Sequence, residues 1–160
     1  MFQLNAARGA ALAAMLALAA CDSEAEAPAE IEEDKIPGIS ISDARLMLAP
    51  VEGNPAAVYF NLSYDGTRGI AIRDAEVEGA GSADVHDVME YEFKMQMNTA
   101  NPIALSKGTE IAFEPGGKHI MAFEPSEALK PGTTTEVTLI VSGGDRHTFE
   151  AEVREAGEER

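Results

Sequence analysis

The stretch "AVYFNLSYDG", residues 57–66, shows the pattern that decides the fold. Every second residue in it is large and apolar or aromatic: Val58, Phe60, Leu62 and Tyr64. A period of two is typical of a β-strand with one buried and one wetted face. The Asp-Gly pair that follows marks a tight turn. The stretch therefore predicts a strand that lies on a hydrophobic core.

The same alternation recurs along the rest of the chain. It begins at Ile39 and appears again over residues 91–97, 137–141 and 147–153. Turn signals such as "DGT", "EGAGS", "EPGG", "KPG" and "SGGD" separate these segments. No segment behind the first 20 residues shows a helical apolar stripe. The pattern predicts an all-β domain over residues 37–155, a β-sandwich or a Greek-key barrel, followed by a polar tail at residues 156–160.

The N-terminus reads as a secretory signal over residues 1–20. One positive charge, Arg8, precedes the apolar run "GAALAAMLALAA", which is shorter than the roughly 20 residues that span a bilayer. The run ends in "LAAC", which resembles the lipobox of bacterial lipoproteins and implies lipidation of Cys21. Asp22 resembles a signal that retains some lipoproteins in the inner membrane, so we expect anchoring there rather than in the outer membrane.

Residues 21–36 are predicted to be a disordered linker. Residues 22–36 hold seven acidic side chains and one lysine, with few large apolar groups to offset the entropy cost of ordering. The whole chain carries a formal charge of −16. Such a charge argues against binding nucleic acid, which requires a basic patch. The single cysteine excludes internal disulfides and metal centres that need thiolates in the folded part.

Methionine and histidine concentrate in one part of the domain. In chain order the residues are His86, Met89, Met95, Met97, His119 and Met121. On strands, Met95 shares a face with Met97, and His119 shares a face with Met121. Thioethers and imidazoles suit Cu(I). The alternative is ordinary packing, because single methionines on a strand usually belong to the core.

Other residues near this group carry less weight. The turn "EPGG" suits type II geometry, with Pro115 and Gly116 at the two central positions, and places His119 at the start of a strand. Asp87 is expected to face away from His86. His147 alternates with apolar residues and is interpreted as a structural histidine. No nucleophile–base spacing or pair of catalytic acids is evident, so we do not expect an enzyme.

The spacing of four of these residues, H-x10-M-x21-H-x-M, resembles the copper-binding motif of the periplasmic PCuAC copper chaperones. The segments "VHDVM", "FKMQM", "EPGGKHIMAF" and "LKPGTTTEVTLIV" are also similar to blocks of that family. The resemblance covers residues 40–153. It implies a cupredoxin-like β-sandwich whose copper ligands are His86, Met97, His119 and Met121. Met89 and Met95 fall outside the motif and are interpreted as auxiliary or core residues.

The resemblance also implies a function. Proteins of this family carry Cu(I) toward the dinuclear copper centre of cytochrome c oxidase subunit II, together with a thioredoxin-like copper protein of the Sco type. We therefore expect a lipid-anchored Cu(I) chaperone on the periplasmic side of a bacterial membrane. A copper-buffering protein for detoxification and a metal-free interaction module remain the alternatives.

Overall fold

The computed structural model describes residues 34–91, 94–100 and 102–158. Within these ranges the chain forms ten strands and no helix: β1 (Ile39–Met47), β2 (Ala56–Tyr64), β3 (Ile70–Val77), β4 (Ser82–Tyr91), β5 (Lys94–Thr99), β6 (Ile103–Leu105), β7 (Thr109–Phe113), β8 (His119–Phe123), β9 (Thr134–Val141) and β10 (Arg146–Arg154). The predicted all-β fold is confirmed. In these ranges no helix has the length and apolarity to cross a membrane.

The strands form one mixed sheet that closes around a single core. Their order is β5-β4-β8-β2-β1-β10-β9-β3-β6, and β7 pairs with the far end of β2. The β1–β10 pair is parallel, and the other ladders are antiparallel. One cluster of buried side chains contains residues of β2 and β8 together with residues of β3 and β9. The sheet therefore curls over itself into a sandwich with the core inside.

The stretch that predicted the fold lies at the centre of this core. Val58, Phe60 and Leu62 on β2 are at most 2% exposed. The ring of Phe60 stacks on that of Phe113 with a centroid distance of 4.1 Å, and it lies 5.0 Å from that of Phe149. Burying aromatic side chains contributes several kcal/mol each at about 25 cal/mol per Å². The alternation in β2 thus supplies the centre of the core.

The alternation over residues 91–97 predicts one strand, and this prediction is wrong. β4 ends at Tyr91, β5 begins at Lys94, and these two residues lie opposite each other in an antiparallel ladder. The chain therefore reverses direction between them. The period-two pattern therefore does not continue as one strand across the reversal. The segment holds no Gly, Pro, Asn or Asp to signal this turn.

The Pro-Gly-Gly segment forms an excursion between two ladders of the same sheet. β7 and β8 both pair with β2, and on β2 the two ladders are separated by Tyr59 alone. Between β7 and β8, residues 114–119 lie between the last partner of the first ladder, Phe113, and the first partner of the second, Ile120. The Gly117 N–H donates to the Glu114 carbonyl at 3.0 Å, and Gly116 has φ of +81°. These are the features of a type II turn, as predicted. β8 begins at the end of this excursion.

Candidate metal centre

Two histidines lie side by side on the outer face of the sheet. His86 on β4 and His119 on β8 are direct partners in the antiparallel ladder. Their ring centroids are 5.9 Å apart, and the ring planes form an angle of 57°. Their chain neighbours Val85 and Ile120 point the other way and are 7% and 0% exposed in the core. The register therefore places both imidazoles on the face opposite the core.

The His119 ring is held in one tautomer. Its Nδ1 lies 2.9 Å from the Gly117 carbonyl oxygen, which can only accept a hydrogen bond, so Nδ1 carries the proton. Nε2 is then the ring nitrogen that does not face the Gly117 carbonyl. His119 is only 4% exposed, and the ring of Tyr59 lies 6.2 Å away across the neighbouring strand. Such a ring, with one nitrogen bonded to the backbone, has the arrangement typical of metal-ligating histidines.

The His86 ring has a nitrogen with no partner. Its Nδ1 is buried and makes no hydrogen bond to any described residue. Burial lowers the pKa of His86, and the nearby His119 lowers it further, whereas the Asp84 carboxylate opposes the shift. The ring is therefore neutral at pH 7. A buried polar atom without a partner costs about 1–3 kcal/mol, and such an atom marks this nitrogen as a candidate metal ligand.

Two methionines join this face from both sides of the histidine pair. Met121 on β8 lies two residues beyond His119, opposite Asp84, and is half-buried. Met97 on β5 lies opposite Val88, two positions along β4 from His86. The Met97 side chain is 52% exposed. Three adjacent strands thus bring the four predicted ligands onto one face beside the sheet's edge strand.

The spacing of the two imidazoles allows them to share one ion. An ion about 2 Å from a nitrogen of each ring lies about 3 Å from each centroid, so centroids up to about 6 Å apart can share it. The observed separation is 5.9 Å. Two imidazoles and two thioethers favour a soft ion such as Cu(I). In the described ranges no three His, Cys, Asp or Glu side chains cluster as a site for harder metals.

A family model described as "Putative lipoprotein LpqE-like" matches residues 39–153. This range takes in all ten strands apart from the last residue of β10. The chain belongs to the LpqE-like family. No curated protein matches the sequence.

Solved structures confirm the fold of this LpqE-like domain. The copper-bound PCuAC domain from PmoF2 has 21% identity and a TM-score of 0.60, with 78% of this chain and 99% of that chain covered. Apo-DR1885 from Deinococcus radiodurans has 18% identity and a TM-score of 0.59, with 99% of both chains covered. The Cu(I) form of DR1885 has 23% identity and a TM-score of 0.58, with 79% and 84% covered. These matches show that the domain shares the fold of PCuAC domains, which is the fold that the motif resemblance implies.

Some predicted residues of the LpqE-like domain are not placed with the four predicted ligands. Met89 lies opposite Gln96 in the ladder, and Met95 lies opposite Glu90. The side chains of both methionines lie outside the described part of the structure, as does the whole of Cys21. Their predicted roles, auxiliary or core for the methionines and lipidation for Cys21, stay predictions.

Two further expectations are confirmed by the contacts. Asp87 does not bond to His86, and its Oδ2 lies 2.7 Å from Lys118 Nζ. His147 is 5% exposed and accepts a hydrogen bond from the Ile36 N–H at its Nδ1, at 3.0 Å. It lies on β10, away from the ladder of the two site histidines, and is a structural histidine.

Sequence reasoning missed the residues that support the two imidazoles. Tyr59 places its ring 6.2 Å from that of His119. An aromatic residue on the wetted face of β2, where polar residues are expected, is the signal that could have pointed to it. The Gly117 carbonyl sets the tautomer of His119. A backbone carbonyl leaves no signal in residue identity, so this contact could not have been read from the pattern.

Proposed function

We propose that this protein carries a single Cu(I) ion, bound by His86, Met97, His119 and Met121. The observation that supports this most is the pair of imidazoles with ring centroids 5.9 Å apart, one of which has a buried nitrogen without a partner among the described residues. Nitrogen and thioether ligands match the preference of Cu(I). The fold shared with the copper-bound PmoF2 domain and with Cu(I)-DR1885 adds support.

The ligand set suits a carrier rather than a permanent metal centre. None of the four ligands is an anionic thiolate, so we expect them to bind the ion less tightly than thiolates would. Met97 lies on the edge strand and is half exposed, while His119 is buried and has the Tyr59 ring 6.2 Å away. An incoming or departing ion would therefore meet Met97 first, and the histidine pair would form the inner part of the site.

Competition with a colourless Cu(I) chelator under anaerobic conditions tests this binding. We expect one Cu(I) per protein and an affinity loss of about tenfold or more in His119→Ala and in Met97→Ala, because each variant removes a ligand. His147→Asn is the matched control, since it removes a buried histidine outside the site. Equal binding by all four proteins, or no binding by the wild type, would exclude the proposed site.

We further propose that Cys21 is lipidated and holds the domain at the periplasmic face of the inner membrane. The sequence "LAAC" and the lipoprotein description of the family support this. Membrane fractionation with labelled fatty acid tests it. The wild type should carry label and sediment with inner membranes, and Cys21→Ala should carry none. Label retained in Cys21→Ala would contradict lipidation at this residue.

We propose that the copper is destined for the dinuclear centre of cytochrome c oxidase subunit II, with a Sco-type protein as partner. The support is the motif resemblance described above. Cells without this protein should assemble oxidase lacking that copper centre at low copper, and added copper should restore it. Increased copper sensitivity with normal oxidase would instead favour buffering.

A further inference from the structure

An ion pair lies directly behind the histidine pair. Asp87 follows His86 on β4, and Lys118 precedes His119 at the start of β8. Lys118 Nζ and Asp87 Oδ2 are 2.7 Å apart, with 33% and 20% of the two side chains exposed. Because successive residues of a strand point to opposite faces, this pair joins the same two strands at the same level from the other face.

The ion pair lies at the end of the β4–β8 ladder, next to the two histidines. The β4–β8 ladder runs from Ser82–Phe123 to His86–His119, so the two histidines form its last backbone pair. The ends of such ladders open most readily. The Lys118 carbonyl also accepts a hydrogen bond from the Glu114 N–H at 2.8 Å, which ties Lys118 to the Pro-Gly-Gly excursion. The ion pair therefore closes the ladder at the point where the imidazoles meet.

We propose that Asp87 and Lys118 are positioning residues, and that their ion pair holds His86 and His119 at the separation that copper binding requires. The inference rests on the proposed copper site. Neither side chain needs to touch the ion. Contacts that orient the ligands of a metal typically change its affinity by about 10–100-fold when they are lost.

The alternative is a simple field effect of the two charges on a bound cation. The two charges are opposite, and each lies on a residue directly next to one of the two histidines. A field effect would therefore weaken Cu(I) binding in Asp87→Asn and strengthen it in Lys118→Gln. Positioning predicts that both substitutions weaken binding. The direction of the Lys118→Gln effect separates the two explanations.

The chain offers a matched control pair. Arg68 and Asp145 are also 2.7 Å apart, but Arg68 lies in the β2–β3 connection and Asp145 in the β9–β10 connection. Asp145→Asn and Arg68→Gln make the same changes of charge as the two test variants. Neither control residue borders a proposed ligand.

The experiment measures Cu(I) affinity for the wild type, the two test variants, the two controls and the charge-swapped protein Asp87→Lys/Lys118→Asp. We expect a loss of about tenfold or more in both test variants, recovery to within about fivefold in the swapped protein, and no change in the controls. Tighter binding in Lys118→Gln, or unchanged binding in both test variants, would overturn the inference while leaving the copper site intact.

A second readout does not depend on copper. In the metal-free wild type, cross-relaxation in NMR spectra should connect ring protons of His86 and His119, whose centroids are 5.9 Å apart. We expect the signal to weaken in both test variants and to return in the swapped protein. An unchanged signal in both variants would overturn the inference, whether or not the wild type binds Cu(I). Failure of the wild type to bind Cu(I) would exclude the proposed function, which is a separate result.

Discussion

Acid should destabilise this domain through one buried histidine that takes no part in the metal site. His147 is 5% exposed, and its Nδ1 accepts the Ile36 N–H. Burial, with a smaller contribution from Lys35, lowers the pKa of His147 from 6.5 to about 4. Above pH 6.5 the ring is neutral in the folded and the unfolded chain. Between pH 6.5 and 4 the unfolded chain binds a proton that the folded chain does not.

The free energy of unfolding must therefore fall as the pH falls through this window. A pKa difference of about 2.5, at 1.36 kcal/mol for each unit, corresponds to about 3 kcal/mol. That loss is a large share of the roughly 5–15 kcal/mol that stabilises a typical domain. Below pH 4 both states bind the proton, and the contribution of His147 levels off.

Urea unfolding of the wild type and of His147→Asn between pH 7.5 and 4 tests this prediction. The asparagine oxygen can still accept the Ile36 N–H but does not titrate, so other ionisable groups cancel when the two proteins are compared. The wild type should lose about 3 kcal/mol more than the variant over this range. Parallel curves, or an imidazole pKa of 6.5 or higher for His147 measured by NMR, would refute the reasoning.

Three further predictions concern the site and its support. Cu(I) affinity should fall at acid pH as protons compete for the His86 nitrogen. Because the pKa of His86 is lowered from 6.5, this fall should appear only below pH 6.5, and competition titrations that show a flat affinity down to pH 4 would contradict it. Gly116→Ala should lower the free energy of unfolding in urea by about 1–2 kcal/mol, because Gly116 has φ of +81°. Gly117→Ala should cost less, since the added carbon would lie 3.6 Å from its nearest neighbour. Equal costs would argue against the type II turn. Phe113→Ala should cost about 3–5 kcal/mol in the same assay, because the ring is 1% exposed and stacked in the core, and a cost below about 1 kcal/mol would contradict its place there.

Much of the fold could be predicted because its information is local. The alternation in β2 separates core from solvent without knowledge of any partner strand. The Glu114–Gly117 turn follows from the requirement for φ above zero at its third position, which glycine meets at low cost. The resemblance of four residues to the PCuAC motif implies which side chains form the site, and the ladders bring these four residues onto one face.

The missing parts of the prediction depend on pairing between distant segments. Nothing in "EYEFKM" marks the reversal between Tyr91 and Lys94, because the ladder and not a turn residue determines it. The opposition of His86 and His119 is a property of the β4–β8 register, which periodicity does not specify. The Asp87–Lys118 ion pair depends on that same register.

X-ray absorption at the copper K-edge of the Cu(I)-loaded protein counts the nitrogen and sulfur ligands of the ion. We expect one copper per chain with two nitrogen ligands at about 2.0 Å and two sulfur ligands at about 2.3 Å. Met97→Leu should lose one sulfur and keep both nitrogens, since leucine preserves the apolar bulk of the side chain. A shell of nitrogen and oxygen without sulfur, or a sulfur count that Met97→Leu leaves unchanged, would contradict the account.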